Sequence, residues 1–248
     1  MTINAPTPRQ IPQLKTLWQQ AFGDTAAFID NFFATGFAPD RCRCLTLDGD
    51  VAAALYWFDA EKDGEKFAYL YAVATEENHR GKGLCRRLME DTHRHLAKNG
   101  YAGAVLVPAE EGLWGYYGKM GYLPFGNLRL FTAEAKNAAC VQEISSEKYT
   151  LLRSFCLPAE AFRESQIGFY GTWGKFYQGK DCLFAAAIDE ECLFVQEFLG
   201  NDEIAHSVVA ALGCSRGHFR VPGGSDPCGM YLLFKDVTPP AYLGFPLD

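Results

Sequence analysis

Three strand-like runs stand back to back between residues 41 and 75, and the last empties into a basic, glycine-bearing loop and an amphipathic helix. Arg41 to Leu47 meets Val51 to Phe58 across Asp48-Gly49, and Lys62-Asp63-Gly64 turns the chain again into Lys66 to Thr75. Asp-Gly between apolar runs is a hairpin signal, because both turn residues favour positive φ. The third run is apolar on both faces, which places it inside a sheet. Leu84, Leu88, Met89, Thr92 and Leu96 then share one face of a helix from about Lys82 to Lys98, closed by Asn99-Gly100. Tyr101 to Val107 is a further buried strand, stopped by Pro108. Strand, helix and strand at the end of a meander require a parallel crossover, so the fold class is α/β with a mixed sheet.

Ahead of the meander, Leu14, Leu17, Trp18, Ala21 and Phe22 form one helix face, and Asp24 stands where it would cap a second helix carrying Phe28, Ile29, Phe32 and Phe33. Behind it, Leu113 to Met120 reads as a short helix, Asn127 to Phe131 as a strand and Thr132 to Ala139 as a linker. The remainder repeats the plan in shorter form. Val141 to Ser145 reads as a strand and Glu160 to Tyr170 as a helix. Cys182 to Ile188 and Leu193 to Leu199 are strands joined by Asp189-Glu190-Glu191. Ile204 to Leu212 is an amphipathic helix, followed by strands at His218 to Val221 and Met230 to Phe234. Two domains are therefore expected, residues 1–132 and 141–248.

Composition removes several function classes. Apolar residues make up 48% of the 248, too many for a disordered chain. The net charge of −7 argues against a nucleic-acid partner. The longest uncharged apolar runs, Val51 to Phe58 and Phe67 to Ala74, fall far short of the roughly 20 residues of a membrane-spanning helix. Pro6, Pro8 and Pro12 stand where a secretory leader would be apolar. The 9 cysteines, mostly inside apolar stretches, fit reduced, buried thiols in the cytoplasm, and their spacing offers no metal site. Charge is unevenly spread: residues 141–248 carry net −6, whereas Asn78 to Lys98 carries net +4. A basic island in an acidic chain suits a small polyanion.

That island opens on Val73-Ala74-Thr75-Glu76-Glu77-Asn78-His79-Arg80-Gly81-Lys82-Gly83-Leu84. Gly81 and Gly83 let backbone N–H groups approach an anion, the helix dipole faces the same point, and Arg80 and Lys82 add charge. The loop is too short for a P-loop and lacks the third glycine of a dinucleotide fingerprint. Past the next strand comes Tyr117-Gly118-Lys119-Met120-Gly121-Tyr122. In these two segments the sequence resembles the GNAT N-acetyltransferase superfamily, whose pyrophosphate motif Gln/Arg-x-x-Gly-x-Gly/Ala matches Asn78 to Gly83 with Asn in first place. Val-Ala-Thr before the loop and the Gly-Tyr after Tyr117 resemble the enhanced-intracellular-survival group. That resemblance implies a GNAT fold followed by a second, degenerate GNAT-like domain, without the group's third, sterol-carrier-like domain.

The resemblance also implies roles. Acetyl-CoA would be cosubstrate, held by Val73, Ala74, Thr75, Arg80, Gly81, Lys82, Gly83, Leu84 and Cys85. Tyr117 would be the general acid that reprotonates the departing thiolate, with Tyr116 its rival if the register slips by one. Many relatives carry a Glu base on the central strand, and Lys66 to Thr75 has none. Glu110, Glu111 and the terminal Asp248, on an otherwise free tail, are the candidates that remain. His79 lies at the pyrophosphate end, and His93 and His95 read as surface residues of the helix. In the second half, Asp202 and Glu203 open the helix where a cradle would stand, and acids there repel phosphate. The expected activity is acetyl transfer to a primary amine, small and cationic to suit the acidic half. The alternative is a non-catalytic acyl-CoA-binding regulatory module.

Overall fold

The computed structural model describes residues 1–157 and 162–247. Two compact units share the chain: residues 1–123 with 230–238, and residues 124–229 with 239–248.

In the first unit, β1 (Thr2–Asn4) leads to helices α1 (Ile11–Phe22) and α2 (Ala26–Thr35). The meander β2 (Cys42–Leu47), β3 (Asp50–Lys62) and β4 (Glu65–Thr75) follows, then α3 (Leu84–Lys98), β5 (Gly103–Leu106) and α4 (Glu111–Gly118). Both hairpins close on two left-handed residues, Asp48-Gly49 and Asp63-Gly64. That is the turn whose twist matches the strands it joins. Gly23, at φ 74°, ends α1, and its N–H donates to the Gln19 carbonyl at 2.9 Å. The cap of α2 is Thr25, which accepts from Phe28 N–H at 3.2 Å. Asp24 was expected there and instead accepts from Trp18 Nε1 at 2.7 Å. The neighbouring Thr25 takes the extended conformation that a cap needs.

Helix α3 buries Leu84, Leu88, Met89, Thr92 and Leu96 against β3, β4 and β5. Full burial of each large aliphatic side chain contributes about 1.5–3 kcal/mol. The opposite face of the sheet carries rings. Trp18 lies 4.6 Å from Phe32, 5.2 Å from Tyr56 and 5.4 Å from Tyr71 between centroids.

The second unit holds β7 (Leu128–Glu134), β8 (Val141–Ile144), α5 (Ser146–Cys156), α6 (Ile167–Tyr170), β10 (Lys175–Gly179), β11 (Cys182–Asp189), β12 (Cys192–Gly200), α7 (Ala205–Ala211) and β13 (Arg216–Pro222). Two short strands, β6 (Leu123–Phe125) and β9 (Arg163–Glu164), lie between these elements, and β14 (Gly229–Leu233) follows them.

The strand orders are β1-β2-β3-β4-β5-β14 and β8-β10-β11-β12-β13-β7. The senses repeat as well: β4 with β5 and β12 with β13 are the parallel pairs, and the other neighbours in these two series are antiparallel.

The first series is completed by a strand from the second half of the sequence, and the second by a strand that precedes the rest of its sheet. β14 pairs with β5 from Met230↔Leu106 to Leu233↔Gly103. β7 pairs with β13 from Arg216↔Glu134 to Pro222↔Leu128. The units therefore divide at different places from the boundaries expected at 132 and 141. Thr132 to Glu134, read as linker, is ladder, and Leu128 to Phe131 completes the second sheet.

Two helix readings also change. Ser146–Cys156 is a helix, capped by Ser145, which accepts from Lys148 N–H at 3.2 Å. The helix expected over 160–170 is only Ile167–Tyr170, preceded by a two-residue strand, and 160–161 lie outside the described residues.

The C-terminal segment is built into the second unit. Tyr242, Leu243 and Phe245 are buried, and Phe245 joins a core with Tyr149, Tyr170, Phe176, Leu183 and Ala185. Gln166 Nε2 donates to its carbonyl at 3.1 Å, and Gln196 Nε2 donates to the Pro246 carbonyl. The tail is thus not free through Pro246, and Asp248 lies outside the described residues. Beneath it, Arg153 joins two buried carboxylates, Glu197 at 2.6 and 2.9 Å and Glu164 at 2.8 Å, and Tyr149 donates to Glu197 at 2.7 Å.

Candidate active site

The ladder between β4 and β5 is short. It runs Phe67↔Gly103, Ala68↔Ala104 and Tyr69↔Val105 and then stops, while β4 continues to Thr75. On its other side β4 stays paired with β3, but the register shifts between Ala54 and Tyr56. Ala72 and Val73 bulge opposite Leu55, and Ala72 takes φ 48°, rare for an alanine. The parallel ladder therefore ends where β5 ends, at Leu106, while β4 runs on. The backbone edge of β4 from Leu70 to Thr75 has no β5 partner. Val73, Ala74 and Thr75 sit on that free edge.

At the end of β4 the chain makes a 3₁₀ turn over Glu77–His79 and enters α3 through Gly81 (φ 73°) and Gly83 (φ 75°). A Cβ at either would meet nothing within 4 Å. Glycine is required by the left-handed backbone, which costs other L residues about 1–2 kcal/mol. Gly83 caps α3 without a side chain, and the first turn holds no acid. The first N–H groups of α3, those of Leu84, Cys85 and Arg86, are thus left open at the positive end of the dipole. Arg80 is tied in place by its Nε, which donates to the Thr75 carbonyl at 3.2 Å. Lys82, Arg86 and Arg87 are exposed nearby in sequence. His79 stands 3.7 Å from Glu76.

The Tyr-x-Lys-x-Gly-Tyr segment has a physical explanation at the end of α4. Tyr122 N–H donates to the Tyr117 carbonyl at 3.2 Å, and Gly121 N–H donates to the Gly118 carbonyl at 3.0 Å. Gly121, at φ 91°, is the left-handed residue between them. This is the Schellman closure, and its usual apolar contact is the Tyr117–Tyr122 ring pair, edge to face at 5.8 Å.

Tyr117 is 7% exposed, and Tyr116 beside it is 37% exposed. Burial, with Cys85 nearby, holds the Tyr117 phenol well above its ordinary range and hence protonated. Tyr116 is raised by burial and by its hydrogen bond to Cys85. Burial also raises the Cys85 thiol, offset by the neighbouring Tyr116 and Thr75 side chains. Tyr117, Tyr116, Cys85 and Thr75 thus form one cluster.

Glu110 and Glu111 are exposed at the start of α4, where they favour the helix dipole. His93 is a correction. Expected at the surface, it is half-buried, and its Nε2 lies 2.8 Å from the Tyr122 hydroxyl. The spacing Met89, His93, Leu96 on one apolar face was the signal for it.

Among the described residues no group of His, Cys, Asp and Glu is placed to hold a metal ion, and no helix is long and apolar enough to cross a membrane. The cysteines are free. Cys42, Cys44, Cys182, Cys214 and Cys228 are buried, whereas Cys140 and Cys156 are exposed.

The profile of the acetyltransferase (GNAT) domain matches residues 2–125, half of the chain. The chain belongs to the GNAT acetyltransferase family. Among curated proteins it is similar to the N-acetyltransferase Eis of Mycobacterium tuberculosis, 37% identical over 71 residues, which are 29% of this chain and 17% of that protein. The chain thus matches only a small part of those relatives' length.

Solved structures are similar over far more of this GNAT protein. A GCN5-related N-acetyltransferase from Anabaena variabilis gives a TM-score of 0.72 at 14% identity, covering 94% of this chain and 72% of that one. One from Kribbella flavida gives 0.69 at 16%, covering 94% and 70%. Eis1 from Mycobacterium abscessus gives 0.64 at 11%, covering 94% and 74%. At such identities the likeness is one of fold, and that fold takes in both units.

Proposed function

We propose that this GNAT protein is an acetyl-CoA-dependent N-acetyltransferase that passes the acetyl group directly to a primary amine. The observation that carries the reading is the free β4 edge that runs into an open, basic helix start, with a buried, protonated phenol beside Cys85 in that helix's first turn. The diphosphate of acetyl-CoA would lie on the N–H groups from Gly81 to Cys85, beside Arg80 and Lys82. The pantetheine amides would pair with the backbone edge at Val73, Ala74 and Thr75, completing the ladder that β5 leaves unfinished.

The amine attacks the thioester carbonyl, the C–S bond breaks, and the sulfur leaves as thiolate. Tyr117 gives it a proton, and the proton that the attacking nitrogen sheds as the amide forms passes to solvent, from which the phenol is reprotonated. The burial that raises the Tyr117 phenol would equally make a thiolate beside it more basic, so that a neutral phenol is a competent donor. β4 supplies no carboxylate, so the amine enters as its free base or gives its proton to Glu110, Glu111 or the terminal Asp248. The second unit would be a degenerate copy without a CoA site. Its β12–β13 ladder also stops early, at Val195↔Phe219, but Asn201 caps the following helical turn and Asp202 and Glu203 open it. Its acidity suits a cationic acceptor.

The missing strand carboxylate also favours a second reading, an acyl-CoA binder without turnover. Thiol release from acetyl-CoA in the presence and absence of polyamines, aminoglycosides and lysine peptides separates the two. Amine-dependent release supports the enzyme; tight binding with no release across the panel sinks it.

A further inference from the structure

We propose that His93 is a positioning residue for Tyr117, acting through Tyr122. This rests on the reading of Tyr117 as general acid, but its geometry stands by itself. Tyr122 is fully buried and grips Tyr117 twice, by its N–H on the Tyr117 carbonyl at 3.2 Å and by its ring against the Tyr117 ring at 5.8 Å and 63°. The backbone grip fixes the end of α4 but not the direction of the Tyr122 side chain. The far end of that side chain is held at its hydroxyl, whose partner is His93 Nε2 at 2.8 Å.

His93 is itself held. The Phe234 ring lies 5.7 Å from it, and it sits on α3, the helix whose first turn carries Cys85. Glu90 and Arg94 flank it on its own helix, and Tyr122 and Phe234 face it from the elements packed against it. Burial keeps the imidazole neutral, so the contact needs no charge. One rigid helix would thus carry the anion cradle at one end and, two turns on, the pin that sets the phenol. A general acid displaced by about 1 Å loses on the order of a hundredfold in rate, so such a pin has work to do. Phe at 122 would fill the same space but leave the far end of the ring unpinned.

The test uses the full chain carrying ¹³C-ε-labelled tyrosine, with the Tyr117 signal assigned by Tyr117→Phe. In His93→Leu the Tyr117 ring signal should shift or broaden, while acetyl-CoA affinity stays within about twofold because the cradle is untouched. His93→Gln, which restores a polar partner, should return the signal. Tyr122→Phe should reproduce the disturbance, and adding His93→Leu to it should change nothing further. With an acetylated amine, kcat should fall roughly tenfold in His93→Leu at constant KM for acetyl-CoA. An unmoved Tyr117 signal in His93→Leu overturns the proposal, as does a disturbance that Gln fails to reverse. If His93→Leu does not fold, Tyr122→Phe decides the same question. Full turnover by Tyr117→Phe would instead sink the general-acid reading, leaving the ring result as it stands.

Discussion

The backbone N–H of Gly244 donates to a carboxylate oxygen of Glu164 at 2.9 Å, inside the second unit. The residue has to be glycine at this point. A Cβ there would run into the Glu197 carboxylate and the Arg153 guanidinium, neither of which can retreat because each is hydrogen-bonded on several sides. Overpacking of this kind costs about 1–3 kcal/mol or more. Gly244→Ala should therefore lower the melting temperature by several degrees and expose the tail to carboxypeptidase. An unchanged melt with an unchanged digestion rate would show that the tail is not clamped.

Arg80 is the cradle charge with a fixed attachment. Arg80→Glu removes a charge-assisted contact and adds repulsion, so acetyl-CoA should bind about 1–3 kcal/mol more weakly by calorimetry. The fold should be unaffected, because the side chain is exposed. Equal affinity in the variant would put the diphosphate elsewhere.

Tyr117→Phe keeps the ring against Tyr122 and deletes one hydroxyl. Binding of acetyl-CoA should hold, and kcat should fall by roughly 10²–10⁴-fold, the usual worth of a general acid. Tyr116→Phe breaks only the contact to Cys85 and should stay within a few-fold of wild type. A slow Tyr116→Phe beside a fast Tyr117→Phe would transfer the role to the neighbour.

His93 gives stability a pH dependence of known sign. Burial, with Glu90 opposing and Arg94 assisting, brings its pKa down to about 4 from an ordinary 6.5. The folded state then binds the proton less readily than the unfolded state. Its contribution is fully present above about pH 6.5 and is lost as pH falls toward 4, by on the order of 3 kcal/mol. Urea unfolding midpoints at pH 7.5, 5.5 and 4 should fall in that order, and the slope should shrink in His93→Gln. A slope untouched by His93→Gln would assign it to other groups.

Much of the first unit was legible in the sequence. The two Asp-Gly turns, the apolar β4 and the α3 stripe each obey a local rule, and local rules are what a sequence displays. The two motifs of the candidate site were legible for the same reason: glycines at 81, 83 and 121 are demanded by their own backbone angles. The burial of His93 was missed because one polar residue on an apolar face reads as a helix edge until its partner is known. The partner, Tyr122, lies 29 residues away in sequence. The destination of Leu128–Glu134 was not legible at all. Alternation says that a segment is a strand, never which sheet will accept it. Helix α5 was hidden by its mean polarity, with only Tyr149 and Arg153 buried, and a buried Arg is not a residue that periodicity counts as apolar.

The strand exchange predicts how fragments behave. A chain of residues 1–140 keeps the cradle and the Tyr117 closure but lacks β14, so β5 is left with an open edge. It should aggregate or remain partly unfolded by size exclusion and circular dichroism, and a peptide of residues 229–238 should rescue it in part. A monomeric, fully folded 1–140 fragment would show that β14 is dispensable.

The same exchange separates the order in which the protein is made from the order in which it can be finished. The ribosome delivers the cradle and the phenol in the first half of synthesis, yet the sheet that aligns them waits for Met230 to Leu233. β7, made early, waits in turn for Arg216 to Pro222. During that interval two strand edges stand unpaired in one nascent chain, and each is a template for the wrong neighbour. A gene for the first half alone would encode the open β5 edge as a permanent hazard.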